Sequence, residues 1–190
     1  MAGVRQFDEQ ATLERALDVF DERGYRAASM LDLAAGTGVQ RGSLYHAYGD
    51  KEEIFVRAFA AHSTRFLGGA AAALRGPGGL TTFFDYCIDA ILSGAPPTGC
   101  LSTRAAVEAV TDSGRARAAV RTFLDELENV VHDGLAACDG GDLAVDLRAA
   151  ARLVVATTRG IAVLERVGHG RAELREIAAT LVTTLVGRHC

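Results

Sequence analysis

Apolar residues recur at three- and four-residue spacing through most of the chain, and no stretch alternates with period two long enough to form a strand. The pattern predicts an all-α protein of about nine helices. Leu13, Ala16, Leu17 and Phe20 put one apolar face on a helix over residues 7–23, most of its acidic residues lie elsewhere, and Gly24 ends it. Ser29 is placed to cap a short helix through Ala35, and a tight turn around Thr37-Gly38 leads into a second short helix beginning near Gln40. Asp50 and Glu53 form a capping-box-like start for a much longer helix, with Ile54, Phe55, Ala58, Phe59, His62 and Phe66 spaced toward Leu74.

Arg75-Gly76-Pro77-Gly78-Gly79 is the strongest break in the chain. An apolar helix over Leu80 to Leu92 follows, and a second break runs Gly94-Ala95-Pro96-Pro97-Thr98-Gly99. A short helix is expected over Cys100 to Val110, and a long one from Asp112 to about Ala137 with Val120, Phe123, Leu124, Leu127, Val131 and Leu135 as its stripe. Two further helices carry Ala150, Val154, Thr157, Ile161 and Leu164, then Leu174, Ile177, Leu181 and Leu185, joined at Gly168-His169-Gly170.

Composition narrows the function. Hydrophobic residues make up 49% of 190, enough for a buried core. The net charge of −4 decides against a broadly basic, sequence-blind nucleic-acid binder, so any DNA contact must come from a local cluster aided by helix N-termini. No apolar run is long enough to span a membrane and the N-terminus lacks a secretory segment, which points to a cytoplasmic protein. Cys87, Cys100, Cys138 and Cys190 have neither CxxC nor metal-ligand spacing, so free thiols and no metal are expected. Gly36-Thr37-Gly38 with Gly42 misses the dinucleotide fingerprint in spacing and in lacking a preceding strand. HExxH, GxSxG and P-loop motifs are absent, and no cofactor is implied.

Two short helices joined by a glycine-containing turn make a helix-turn-helix, whose second helix is shaped to enter the DNA major groove. The segment Phe7 to Phe59 resembles the N-terminal domain of TetR-family transcriptional regulators, most specifically along Gly42-Ser43-Leu44-Tyr45-His46-Ala47-Tyr48-Gly49-Asp50-Lys51-Glu52-Glu53. Pro97-Thr98-Gly99-Cys100-Leu101 resembles the Gly-Cys-Leu segment that one branch of that family carries between its fifth and sixth helices. The resemblance implies a DNA-binding domain over residues 1–50 and an effector-binding and dimerisation domain over 51–190. It implies a ligand-responsive, sequence-specific regulator, by family default a repressor, acting as a homodimer on a palindromic double-stranded operator and released by a small molecule.

Arg41 is the best candidate for reading a base, because a guanidinium can bond O6 and N7 of guanine together. Gln40 and Ser43 can bond phosphates or base edges, and Gly42 lets the backbone approach DNA. Tyr45 and His46 are expected near the sugar-phosphate edge, and Lys51 at a helix N-terminus suits a phosphate. Ser29 and Met30 begin the helix that would cross the backbone, while the resemblance implies that Leu44 and Tyr48 are packing residues. The arm before Phe7 offers only Arg5 as a basic residue, so affinity should depend on two heads acting together.

Under the same resemblance Val154, Thr157, Ile161, Leu164, Leu174, Ile177, Leu181 and Leu185 would form a four-helix dimer interface. His62, Phe66, Phe83, Tyr86, Cys100, Arg104, Phe123 and Thr158 are the candidates to line an effector cavity, each with an ordinary core role as the alternative. Arg104 could instead pair with Glu108 along its helix. Cys100 at a helix N-terminus has its thiolate favoured by the dipole, which admits a redox or electrophile sensor as an alternative function. A helical adaptor for protein partners, or an enzyme using Cys100 or a histidine, are the remaining rivals.

Overall fold

The computed structural model describes residues 7–93, 103–104, 114–137 and 143–186. Among these residues eight helices are complete and there is no strand. They are α1 (Glu9–Arg23), α2 (Met30–Thr37), α3 (Arg41–Tyr48), α4 (Lys51–Arg75), α5 (Leu80–Leu92), α6 (Gly114–Ala137), α7 (Leu147–Arg166) and α8 (Arg171–Val186). The N-terminal arm with Arg5, most of the short helix expected over 100–110, and Cys100, Cys138 and Cys190 lie outside the described residues.

The chain packs as two compact units, residues 1–63 with 104–120, and 64–103 with 121–190. The division falls inside α4, well past the end of α3 at residue 48. The physical reason is that the first turns of α4 complete the core of the N-terminal bundle. Ile54, Phe55, Ala58 and Phe59 are buried with Ala16, Val19, Phe20, Leu33, Leu44 and Tyr48. Phe55 meets Phe20 edge-on at 5.3 Å and Tyr25 at 4.9 Å, and stacks on Phe59 at 5.4 Å. Ring pairs in these geometries add about 1 kcal/mol beyond area burial.

Each short helix in this unit is held by groups at its ends. Ser29 Oγ accepts from Asp32 N while Asp32 Oδ2 accepts from Ser29 N, a reciprocal capping box. A methyl at Gly36 would lie 2.2 Å from Val19 Cγ2, so α1 and α2 approach as only glycine allows. The turn between α2 and α3 needs Gly38 at φ 71°. Thr37 Oγ1 donates to the Leu33 carbonyl at 2.6 Å and accepts from Val39 N, and Arg15 of α1 donates to the Thr37 carbonyl at 3.2 Å.

In the second unit, α5, α7 and α8 pack together around Phe83, Phe84, Cys87, Ile88, Val154, Ile161 and Leu174. Arg175 pairs with Asp85 at 2.7 Å and Arg171 with Asp89, tying α8 to α5. Two helix glycines permit close approaches here. A methyl at Gly69 would lie 2.4 Å from the Tyr86 hydroxyl, and one at Gly134 would lie 2.9 Å from Leu74 Cβ.

Candidate nucleic-acid interface

Helix α3 is only eight residues long, and burial divides it cleanly. Leu44 and Tyr48 are buried, whereas Gln40, Arg41, Gly42, Ser43, Tyr45 and His46 are exposed. Gly49, at φ 79°, stops the helix, and its N–H returns to the Tyr45 carbonyl. The Arg41 guanidinium lies 5.5 Å from the Tyr45 ring centroid, which presents the cation along the outer face. A methyl at Gly42 would touch nothing within 4 Å and its backbone is not left-handed, so nothing inside the fold requires glycine there.

At the start of α2, Ser29 is exposed, Met30 half-buried and Leu31 67% exposed. Periodicity does not single out Leu31, because it cannot tell an apolar residue facing outward from one facing the core. Asp32 is held below the usual aspartate range, first by the Ser29 hydroxyl, then by the Ser29 N–H, with Arg23 also nearby at 2.9 Å. Asp50 is likewise lowered, chiefly by the Glu53 N–H and also by the Arg115 guanidinium.

Lys51 departs from its sequence expectation. Its ammonium donates to the carbonyls of Tyr25 at 2.8 Å, Ala28 at 2.9 Å and Arg26 at 3.3 Å. A group whose three donors converge on backbone carbonyls is directed into the domain in this structure. Arg104 donates to the Asp21 carbonyl at 2.5 Å and belongs to the first unit, with α1–α3. His62, 6.4 Å from Phe59, also belongs to that unit.

Of the cavity candidates, the second unit brings Phe66, Tyr86, Phe123 and Thr158 together. Phe66 lies 5.2 Å from the Tyr86 ring and 5.7 Å from Phe123, and the Tyr86 hydroxyl donates to the Phe66 carbonyl. Burial pushes that hydroxyl's pKa up. Arg159, for which spacing gives no signal, bonds Thr158 Oγ1 and lies 6.0 Å from the Phe123 centroid. Phe83 is fully buried against Phe84 at 5.6 Å and serves the core.

The dimer candidates divide by burial. Val154, Ile161 and Leu174 are 0% exposed and Leu185 2%, so these side chains fill their own subunit's core. Thr157, Leu164, Ile177 and Leu181 are half-buried. The exposed face of α7 carries Leu153, Ala156, Gly160 and Val163, with Val167 at its C-cap, at alternating three- and four-residue spacing. A helix apolar on both faces is one with two sides to bury. Choosing between the two stripes needs the tertiary structure.

A small three-helix head that buries one side of a short helix and exposes its polar side defines the helix-turn-helix class of DNA-reading domain. Residues 13–58 match the family model described as "Bacterial regulatory proteins, tetR family". The chain is 27% identical over 148 residues to the HTH-type transcriptional regulator YezE of Bacillus subtilis, covering 75% of this chain and 76% of that one. It is 50% identical over 42 residues to the HTH-type transcriptional repressor KstR2 of Mycobacterium tuberculosis, 22% of this chain and 21% of that one. Among solved structures it is similar to a cysteine-substituted form of the TetR family regulator CifR complexed with 26-base-pair operator DNA. That likeness has a TM-score of 0.81 at 25% identity and covers 95% of this chain and 98% of that one. Residues 13–58 thus carry a helix-turn-helix of the tetR family, a DNA-binding domain, and the chain over most of its length is similar to TetR-family transcriptional regulators.

Among the described residues no helix is long and apolar enough to cross a membrane, and no group of three or more His, Cys, Asp or Glu could hold a metal.

Proposed function

We propose that the protein is a cytoplasmic, ligand-responsive repressor that binds a palindromic operator as a homodimer. The observation that carries the reading is the division of α3 into buried Leu44 and Tyr48 and exposed Gln40, Arg41, Ser43, Tyr45 and His46. Arg41 reads a base edge; Gln40, Ser43, Tyr45 and His46 bond the sugar-phosphate backbone or neighbouring edges, with Ser29 and Met30 at the crossing helix. The net charge of −4 keeps non-specific attraction low, so tight binding depends on two heads engaging together.

The dimer forms through the exposed stripe of α7, Leu153, Ala156, Gly160 and Val163, with Val167 at its C-cap. Large apolar side chains exposed in one row of a single helix are the kind of surface that a partner covers. The effector is held among Phe66, Tyr86, Phe123 and Thr158, with Arg159 at the edge of the group.

Release follows from geometry. Two recognition helices must be about 34–36 Å apart to enter successive major grooves. An effector that prefers any other separation depletes the competent population, and only by its differential affinity. Helix α4 is continuous from Lys51 to Arg75 and carries both head residues and Phe66, which makes it the lever. The reading is tested by selecting duplexes from a random-sequence pool with the purified protein. Recovery of an inverted repeat that Arg41→Ala no longer prefers supports it, and failure to enrich any sequence overturns it.

A further inference from the structure

Lys51 occupies the first position of α4, where the positive end of the helix dipole disfavours a cation. Its neighbours Asp50, Glu52 and Glu53 are the residues that suit that end. A lysine in such a place needs a compensating environment, and the segment between α1 and α2 supplies one. There the carbonyls of Tyr25, Arg26 and Ala28 point toward one spot, and the ammonium fills it at 2.8, 3.3 and 2.9 Å. The Tyr25 ring lies beneath the same nitrogen at 4.8 Å. Tyr25 and Ala28 are buried and the contacts to their carbonyls part-buried, so those two are partly shielded from competing water, while the contact to Arg26 is exposed.

The consequence concerns aim. Helix α3 is joined to α2 by the Gly38 turn and to α4 by two residues, Gly49 and Asp50. Fixing the start of α4 to the residues just before α2 closes a loop around α3 and removes its freedom to pivot. We infer that Lys51 is the positioning residue of the reading head, a three-carbonyl staple that sets the angle of α3 in the groove. This rests on the DNA-binding reading above and assigns Lys51 a role opposite to the phosphate contact its place in the sequence suggests.

The two roles differ in what salt does. A phosphate contact contributes about one unit to the slope of log K against log salt, and its loss weakens binding uniformly across sequences. A positioning residue contributes nothing to that slope and its loss weakens the preferred sequence alone. Wild type, Lys51→Met and Lys51→Arg should be titrated, over a salt series, against the duplex that wild type selects and a scrambled duplex of equal length. The Lys51→Arg variant keeps the charge, but a planar guanidinium fork cannot direct three donors to one cluster of carbonyls. Both variants are expected to lose about tenfold or more of the preference for the selected duplex, the size of one lost base contact, with the scrambled-duplex slope unchanged. A slope shallower by about one in Lys51→Met, with Lys51→Arg matching wild type, overturns the inference and leaves the DNA-binding reading intact. Equal discrimination in all three proteins also overturns it. If Lys51→Met does not fold, as judged by thermal melting, Lys51→Arg alone decides by the same two measurements. A wild type that selects no duplex removes the underlying reading, a result distinct from either.

Discussion

Glu52 of α4 caps α6: its Oε1 accepts from the backbone N–H of Arg115 at 2.9 Å and of Ala116 at 3.1 Å. The Arg115 guanidinium then returns to Glu52 Oε2, Glu53 and Asp50. Two orphan donors at one helix start are thus satisfied by a residue distant in sequence, which no local capping signal announces. Glu52→Ala should lower stability by about 1 kcal/mol, the ordinary cost of a lost cap, read as a shift of the urea midpoint at constant slope. Glu52→Gln, which keeps an acceptor oxygen, should lose less.

Gly42 separates folding from DNA binding. Since a methyl there meets nothing in the protein, Gly42→Ala should raise stability by about 0.5–1 kcal/mol through reduced chain entropy. Operator affinity should fall in the same variant, because the backbone can no longer approach DNA as closely. Thermal melting and a binding titration on one preparation check both. Retained affinity would remove Gly42 from the interface.

The exposed stripe of α7 yields a test of assembly. Leu153→Glu and Val163→Glu should each give a folded monomer by sedimentation equilibrium, with operator affinity falling with the loss of the second head. Each site is about half exposed, so the monomer's own core should tolerate the charge. A dimer that survives both changes would place the interface elsewhere.

The pH response follows from Asp32 and Asp50. Both carboxyls are held below the usual 3.8 by bonds to their charged forms. A depressed folded pKa gives stability that is fully present above the unfolded value and lost as pH falls through the folded one. The stability contributed by these caps should therefore be constant near neutrality and decline only below about pH 4. Ser29→Ala should move the Asp32 midpoint upward in a carboxyl NMR titration and cost about 1 kcal/mol of stability as its capping box opens.

Gly68 and Gly69 adjoin within α4 yet should respond oppositely to alanine. A methyl at exposed Gly68 touches nothing and should stabilise the helix by about 1 kcal/mol. At Gly69 it would lie 2.4 Å from the Tyr86 hydroxyl and 2.6 Å from its ring carbon, so Gly69→Ala should destabilise by about 1–3 kcal/mol. Urea midpoints of the two variants check the contrast.

Local periodicity and punctuation determined a great deal by themselves. The helical class, the stop at Gly24, the turn at Gly38 and the cap at Ser29 are all short-range consequences of side-chain spacing and backbone freedom, while Leu44 and Tyr48 as the packing side of α3 came from the family resemblance. The TetR resemblance was carried by that same contiguous stretch. What the three-dimensional packing alone decided are relationships between residues distant in sequence. Lys51 turns to the carbonyls of residues 25, 26 and 28; Arg104 turns to Asp21; and Glu52 caps a helix that begins at Gly114. On α7 a three-and-four repeat occurs on two sides, Val154 with Ile161 inward and Leu153 with Val163 outward, and nothing in the spacing ranks one above the other. Periodicity identifies a face but not its neighbour, since burial is a property of what packs against a helix and not of the helix itself.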